Sequence, residues 1–178
     1  MIVKDNNIFY LNTKNTTYAF RIMPSRHLEH LYYGEIINEI NEDALIEKNE
    51  FICGNLISYS KEFPNLALEN TCLEFSGLGK GDVRTPAIEM ESADGNMTTD
   101  FKYISYEIFE KKEELQNLPS SYGDAKQLTI TLKEAESDIE VKLVYSVFEE
   151  TDVITRSVKV CNKSNDSITL KRLMSLML

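Results

Sequence analysis

Tryptophan is absent from this 178-residue sequence, and only three cysteines and two histidines occur. Because sugar rings commonly stack on a broad aromatic face, the lack of tryptophan disfavours an autonomous lectin, although nine tyrosines and eight phenylalanines offer smaller faces. The cysteines, Cys53, Cys72 and Cys161, lack both the C-x-x-C spacing of zinc sites and the even count of a secreted disulfide framework. We therefore expect reduced, buried thiols and no metal.

Long apolar runs are also missing from the sequence. No stretch of about 18 apolar residues occurs, and the N-terminus lacks a positively charged segment that leads into an apolar one. These absences predict a cytoplasmic chain with no membrane partner. The formal net charge of −10 repels phosphate backbones, so nucleic acid is not expected as a partner either.

Alternating apolar positions favour β-strands in several places. Residues 8–11 and 17–22 are β-like runs separated by a polar, turn-forming segment, which predicts an opening hairpin. Residues 128–132 alternate, and odd-numbered positions in residues 139–147 place apolar side chains on one face of a long strand. A mostly β-sandwich domain is therefore predicted.

Two further strands are predicted over residues 153–160 and from residue 168 to about residue 178, joined by the turn-forming residues 162–167. Consecutive strands with short loops favour an antiparallel meander. Residues 173–178 would end in mid-strand and are almost wholly apolar, whereas natural chain ends are usually polar and frayed. We therefore expect residues 1–178 to be a single domain cut from a longer protein.

Three segments lack a clear strand pattern. The charged residues 38–50 contain no glycine or proline, which favours either a helical turn or a projecting loop. Residues 61–87 contain the glycines and prolines of a long packed loop. Residues 106–118 include Glu-Lys-Lys-Glu-Glu, whose composition favours helix although the apolar residues do not keep a 3.6-residue period.

Candidate catalytic residues are few. His27 and His30 have the H-x-x-H spacing that binds a metal ion on a helix if carboxylates join them. Their neighbours Leu28, Leu31 and Tyr32 favour strand core instead, so we interpret both histidines as structural. No serine lies in the Gly-x-Ser-x-Gly turn that exposes a nucleophile, so a serine hydrolase is not predicted.

The segment around Gly79 and Gly81 contains other chemistry-bearing residues. It lacks the spacing and the Lys-Ser/Thr pair of a phosphate-binding loop, so a tight turn is the better interpretation. Asp82 and Arg84 are two residues apart and lie on one side of an extended segment, where an ion pair can fix the loop to the sheet. Carboxylates are abundant along the chain, but their scattered positions are typical of solvated surfaces.

Six segments, in chain order, carry further information: residues 16–20, 27–34, 74–87, 99–103, 118–122 and 152–157. Together they resemble the start of bacterial α-galactosidases of glycoside hydrolase family 36. Within residues 74–87, Glu-Phe-Ser and Gly-Asp-Val-Arg-Thr-Pro-Ala are similar to that family's Glu-Tyr-Pro and Gly-Asp-Phe-Arg-x-Pro-Ala signatures. Ser76 replaces a proline of the family pattern and Val83 replaces a phenylalanine.

The resemblance implies a mainly β fold with little helix, namely an antiparallel β-supersandwich of the galactose mutarotase-like type. It implies that the domain itself has no catalytic residues and that a (β/α)₈ barrel follows in the same chain, with an Asp nucleophile and an Asp acid/base for retaining hydrolysis. The parent enzyme would release terminal α-linked galactose from raffinose-type oligosaccharides and other galactosides. It would need no metal or cofactor and would be a homo-oligomer.

The resemblance also implies a contact with substrate. In this family a loop after the Tyr-Tyr-Gly segment can approach a neighbouring subunit's active site, and here that loop is residues 41–50. Glu47 and Lys48 are the candidates for contacting the galactoside. Two alternatives remain open: an autonomous carbohydrate-binding or adaptor module without a barrel, and a fragment that hydrolyses a substrate with its own carboxylates.

Overall fold

The computed structural model describes residues 1–37, 42–46, 54, 56–115 and 119–176. In these ranges the strands are Ile2–Asp5 (β1), Ile8–Asn12 (β2), Thr16–Ile22 (β3), Leu28–Glu35 (β4), Ile88–Ser92 (β5), Phe101–Phe109 (β6), Lys126–Glu134 (β7), Ile139–Phe148 (β8), Val153–Asn162 (β9) and Ile168–Leu173 (β10). Helix in the same ranges is limited to one turn at Glu42–Leu45 (α1) and 3-10 turns at Leu68–Asn70 and Glu149–Thr151. The predicted mainly β fold with little helix is confirmed.

Two antiparallel sheets share one core. Strands β1-β2-β3-β4 form the first sheet in chain order, and β6-β7-β8-β9 form the second. Within the first, β2 pairs with β3 from Ile8 opposite Arg21 to Asn12 opposite Thr17, which confirms the predicted opening hairpin. Each sheet is therefore a meander of neighbouring strands, and the two together form a β-sandwich.

The core is built from alternate positions of both sheets. On β8, the side chains of Ile139, Val141, Leu143, Tyr145 and Val147 are at most 1% exposed, as their period-2 pattern predicts. The ring of Tyr145 stacks on that of Phe20 across the core, with centroids 5.3 Å apart. Burial of one such aliphatic or aromatic side chain contributes about 1.5–3 kcal/mol, so this layer is the main source of stability.

The last strand departs from the predicted meander. β10 pairs with β5, with Ile168 opposite Ser92 and Leu173 opposite Ile88, and not with β9. It also ends at Leu173 and not near residue 178. The polar loop after β9 is compatible with a reversal into a hairpin and with a crossing to another strand, so local sequence did not decide the partner.

The helix that composition predicts over residues 106–118 is wrong for residues 106–109. Phe101–Phe109 is a strand, β6, which pairs with β7 from Phe101 opposite Glu134 to Phe109 opposite Gln127. A register shift between Tyr103 and Ser105 breaks the alternation that would have revealed the strand. Residues 110–115 contain no helix, and the main-chain nitrogen of Lys112 donates instead to the oxygen of Ala125, just before β7.

The thiols are also less buried than predicted. Cys72 is exposed and Cys161 is half-buried, and both are free. Cys161 stands opposite Glu140, between the core-facing positions of β9, and so lies on the outer face of its sheet. Cys53 lies outside the described residues. No helix in the described ranges is long and apolar enough to cross a membrane.

Candidate functional site

A buried carboxylate joins the two sheets. Glu74 lies in the long loop before β5, and the hydroxyls of Tyr18 on β3 and Tyr145 on β8 each donate to it at 2.7 Å. Arg156 on β9 donates from Nη1 to Oε1 at 2.7 Å and from Nη2 to the main-chain oxygen of Glu74 at 2.9 Å. His30 Nδ1 lies 3.6 Å from Oε2. The carboxylate is surrounded by internal donors, which is the arrangement of a structural group.

The tyrosines of this cluster remain protonated at neutral pH. Burial, followed by the negative charge of Glu74, raises the pKa of Tyr18 well above its usual range. The same causes raise the pKa of Tyr145. Both hydroxyls are therefore permanent hydrogen-bond donors to Glu74 and unsuited to act as general bases.

A second buried cluster joins the three residue types of a hydrolase triad, but with the two histidine nitrogens exchanged relative to one. Ser25 Oγ lies 3.0 Å from His27 Nδ1, and His27 Nε2 lies 2.9 Å from Asp100 Oδ1. Sequence reasoning missed this arrangement because Asp100 is 73 residues from His27 and Ser25 is not in a nucleophile turn. The three residues are only 4–5% exposed, and the cavity beside His27 and Asp100 has a volume of about 10 Å³. A space of that size admits roughly one water molecule and no substrate.

Asp100 has two more partners that explain its position. The Tyr59 hydroxyl donates to Oδ2 at 2.7 Å, and Lys102 Nζ lies 3.6 Å from the same oxygen. Burial alone would raise the pKa of Asp100, but hydrogen bonds from His27 and Tyr59, with the charges of His27 and Lys102, lower it to about 2. The ionised carboxylate therefore links the β3–β4 turn, Tyr59 in the connection between β4 and β5, and the start of β6.

Asp82 and Arg84 are in contact, and their partners lie in the loop. Arg84 donates from Nε to Asp82 Oδ1 at 2.9 Å and from Nη2 to Oδ2 at 2.8 Å. Nη2 also lies 2.8 Å from the main-chain oxygens of Leu68 and Thr71. Leu68 begins the 3-10 turn and Thr71 follows it directly, and neither lies in a strand, so the ion pair fixes one part of the loop to another.

The turn that carries this pair has an unusual backbone. Gly79, Lys80 and Gly81 have φ values of 87°, 58° and 86°, three left-handed positions in succession. Glycine adopts them without steric cost, whereas Lys80 is strained there. No ligand-binding geometry is needed to explain the glycines, which supports the interpretation as a tight turn.

The remaining site predictions have different outcomes. Glu47 and Lys48 lie outside the described residues, although α1 shows that a helical turn occurs in the charged segment. His27 and His30 do not share a helix face, because His27 precedes β4 and contacts Asp100 whereas His30 lies within β4 beside Glu74. The described residues contain no group of three metal-ligating side chains.

Known proteins resemble this chain over nearly its whole length. It is 35% identical over 171 residues to the bifunctional alpha-galactosidase/sucrose kinase AgaSK of Mediterraneibacter gnavus, an alignment that covers 94% of this chain and 18% of that protein. It is 30% identical over 177 residues to the alpha-galactosidase Mel36A of Lactobacillus acidophilus, covering 96% of this chain and 24% of that protein. The chain thus spans a quarter or less of these relatives.

Solved structures show the same fold. The galactosidase domain of AgaSK has a TM-score of 0.88 at 34% identity, covering 99% of this chain and 25% of that chain. The alpha-galactosidase of Lactobacillus brevis has a TM-score of 0.90 at 31% identity, covering 98% and 24%. A variant of alpha-galactosidase AgaA of Geobacillus stearothermophilus in complex with raffinose has a TM-score of 0.87 at 26% identity, covering 95% and 24%.

The family assignment follows from these similarities and from a family profile. Residues 26–178 match the glycosyl hydrolase family 36 N-terminal domain. The match includes Glu74, Asp100, the Asp82–Arg84 turn and strands β4 to β10. This chain belongs to the family of glycosyl hydrolase family 36 N-terminal domains.

Proposed function

We propose that this chain is the non-catalytic N-terminal domain of a cytoplasmic α-galactosidase, in which it supports the catalytic region and supplies subunit contacts. The observation that carries the proposal is the match of residues 26–178 to an N-terminal domain, together with the 18% and 24% of the relatives' length that the chain spans. Hydrolysis of α-galactosides would then belong to the rest of the parent chain, as a barrel with two catalytic Asp residues.

The surroundings of the buried carboxylates support a structural role. A retaining glycosidase needs two carboxyl groups about 5–5.5 Å apart on either side of a bond that substrate can bring between them. Glu74, Asp82 and Asp100 instead receive hydrogen bonds from internal donors and are at most 6% exposed. They hold sheets and loops together and have no space for a sugar ring between them.

The substrate class comes from the relatives. Those compared above are named alpha-galactosidases, and one was solved with raffinose. The parent enzyme of this chain would accordingly remove terminal α-linked galactose from raffinose-type oligosaccharides and other galactosides. It would do so without a metal or cofactor.

Residues 41–50 provide a testable subunit contact. In a homo-oligomer this loop would approach the galactoside in the neighbouring subunit, with Glu47 and Lys48 as the contacting side chains. Glu47→Gln and Lys48→Met in the full-length enzyme should each raise KM for raffinose and leave the melting temperature unchanged. Lys61→Met, outside this loop, is the matched control; equal KM values in all variants would remove these residues from the site.

Deletion tests the scaffold role directly. The full-length product of the reading frame and the same product without residues 1–178 are compared for α-galactoside turnover, and their masses in solution are measured by light scattering. The proposal predicts that the deletion abolishes turnover and changes the number of subunits in the oligomer, obtained by dividing the measured mass by the subunit mass. A truncated enzyme with unchanged turnover and an unchanged number of subunits would contradict it, and calorimetric binding of galactosides to residues 1–178 alone would favour a carbohydrate-binding module.

A further inference from the structure

Asp94 and Gly95 form the only Asp-Gly dipeptide of the sequence, which contains no Asn-Gly dipeptide. Both residues are exposed in the turn that follows β5, which ends at Ser92. Glycine after aspartate is chemically important, because it has no Cβ to keep its main-chain nitrogen away from the aspartate carboxyl group. Gly95 has a φ of 85°, a left-handed value that side chains rarely adopt, so the turn itself favours glycine at this position.

An Asp-Gly dipeptide rearranges without an enzyme. The Gly95 nitrogen attacks Asp94 Cγ and forms an N–Cγ bond, and the carboxyl hydroxyl leaves with the proton of the nitrogen as water, which gives a cyclic imide. Water then adds to one of the two imide carbonyls. Addition at Cγ breaks the new bond and restores aspartate, whereas addition at the main-chain carbonyl breaks the original peptide bond and leaves isoaspartate. The only other reactant in both steps is water.

Ser92 binds both reacting groups of this dipeptide. Its main-chain oxygen accepts a hydrogen bond from the Gly95 nitrogen at 2.9 Å, and its hydroxyl donates to Asp94 Oδ1 at 2.6 Å. The Asn96 nitrogen donates to the same Oδ1 at 3.0 Å, and the Ser92 nitrogen donates to the Asn96 oxygen at 3.0 Å. The attacking nitrogen and the carboxyl group are therefore each bound to Ser92, and the two ends of the turn are closed on each other.

These contacts oppose the first step in two ways. An amide nitrogen attacks only when it gives up its proton, and the proton of Gly95 is held by the Ser92 carbonyl. The carboxyl group reacts as the neutral acid, because an ionised carboxylate has no hydroxyl to lose. The hydroxyl of Ser92, followed by the main-chain nitrogen of Asn96, lowers the pKa of Asp94 and so reduces the fraction of neutral acid.

We propose that Asp94 is a site of isoaspartate formation, and that Ser92 keeps the reaction slow while the turn is folded. Isoaspartate carries one more carbon atom in the main chain, so the closure between Ser92 and Asn96 is lost once it forms. Ser92 also pairs with Ile168 at the start of β10, so the same change loosens this end of the β5–β10 ribbon. The modification therefore records local opening of the turn as a permanent change of the chain.

Labelling of the full-length protein with heavy oxygen tests the proposal. Each passage through the imide takes one oxygen atom from water, so incubation in water that contains heavy oxygen adds one heavy atom whether aspartate or isoaspartate is formed. Digestion in ordinary water and mass spectrometry of the peptide that contains Asp94 give the rate, and electron-transfer fragmentation identifies isoaspartate. We expect the native protein to be labelled at least about tenfold more slowly than the protein unfolded in guanidinium chloride, because the turn must first open.

Variants separate the contributions of the two contacts. Ser92→Ala removes the hydroxyl contact and should raise the native labelling rate about threefold to tenfold. Ser137→Ala is the matched control, because its hydroxyl donates to Glu134 Oε2 at 2.8 Å in another turn, and its rate should equal that of the unsubstituted protein. Asp94→Asn forms the same imide with loss of ammonia and needs no neutral acid. Its reaction should still be slower in the native protein than in guanidinium chloride, because the Gly95 hydrogen bond remains.

Three outcomes would overturn the proposal. Equal labelling rates in the native and unfolded protein would show that the folded turn gives no protection, and absence of label at position 94 in the unfolded protein would show that the site does not react. An unchanged native rate in Ser92→Ala would remove Ser92 from the account. Hydrogen exchange of β7 and β8 is measured in the same variant, since faster exchange there would mean that the whole domain opens and would contradict a local role of Ser92.

Discussion

Arg156 of β9 and Glu74 of the loop before β5 form an ion pair inside the sandwich, with Nη1 2.7 Å from Oε1 and side chains only 6% and 1% exposed. The guanidinium also lies over the ring of Tyr145, 5.2 Å from its centroid. Removing two charges from water costs several kcal/mol, and the attraction between them offsets this cost only while both are present. Because Tyr18 of β3 also donates to Glu74, the pair links the second sheet to the first.

Glu74→Gln should lower the free energy of unfolding by about 3–5 kcal/mol, because it leaves the Arg156 charge buried without its partner. Urea unfolding of the full-length enzyme and of the variant measures the change. Glu140→Gln is the control, since its partner Lys163 is half-exposed and such pairs contribute about 0–1 kcal/mol. A loss below about 1 kcal/mol for Glu74→Gln would show that the buried pair is not a structural link.

Acid should lower the free energy of unfolding of the domain by protonating Asp100. Its pKa of about 2 is below the unfolded value of about 3.9, so its ionised form contributes stability above pH 4 that is lost as the pH falls toward 2. Between pH 4 and pH 2, the free energy of unfolding of the unsubstituted protein should fall by about 2 kcal/mol more than that of Asp100→Asn. Urea unfolding at each pH measures the difference.

The matched control for this pH series is Asp124→Asn, which changes an exposed carboxylate. We expect its stability to fall with pH in parallel with that of the unsubstituted protein. Parallel curves for Asp100→Asn as well would mean that the contacts with His27, Tyr59 and Lys102 do not stabilise the ionised carboxylate.

Ser25→Ala distinguishes a structural cluster from a catalytic triad. Because Ser25 is only 4% exposed, and the cavity beside its partner His27 has a volume of only about 10 Å³, we expect kcat/KM of the full-length enzyme to change by less than about twofold. Stability should fall by about 1 kcal/mol through the lost hydrogen bond to His27. A large fall in kcat with unchanged stability would instead make Ser25 a nucleophile.

Arg84→Lys should lower the stability of the protein almost as much as Arg84→Ala. Lysine keeps the charge but cannot reach both Asp82 oxygens and the carbonyls of Leu68 and Thr71 together, so both variants should lose about 1–3 kcal/mol. Hydrogen exchange of residues 79–84 should become faster in both. Lys61→Ala controls for the loss of one exposed charge; full retention of slow exchange in Arg84→Lys would show that charge alone holds the turn.

The sequence predicts strands where a single face is buried without interruption. Residues 139–147 satisfy this condition, and β8 has the expected face. In β6 the register shift between Tyr103 and Ser105 interrupts the alternation, and charged residues add helical propensity, so the strand was missed. The partner of β10 was missed because the register with β5 depends on residues more than seventy positions apart.

The polar clusters were also hard to predict, because their members are far apart along the chain. Tyr18, Glu74, Tyr145 and Arg156 come from four separate parts of the chain, and only the fold brings them together. One signal was available: Tyr145 occupies a core-facing position of an apolar strand, where a buried hydroxyl needs a partner. Nothing local identifies Glu74 as that partner.

The most direct test of the account compares turnover of a chromogenic α-galactoside by residues 1–178 and by the full-length product of the same reading frame. We predict hydrolysis by the full-length product and none by the 178-residue chain, since under the proposed function the carboxylates that hydrolyse the substrate would belong to the rest of the parent chain. Turnover by the purified 178-residue chain, or its absence from both proteins, would contradict the assignment of this chain as the accessory N-terminal domain of an α-galactosidase.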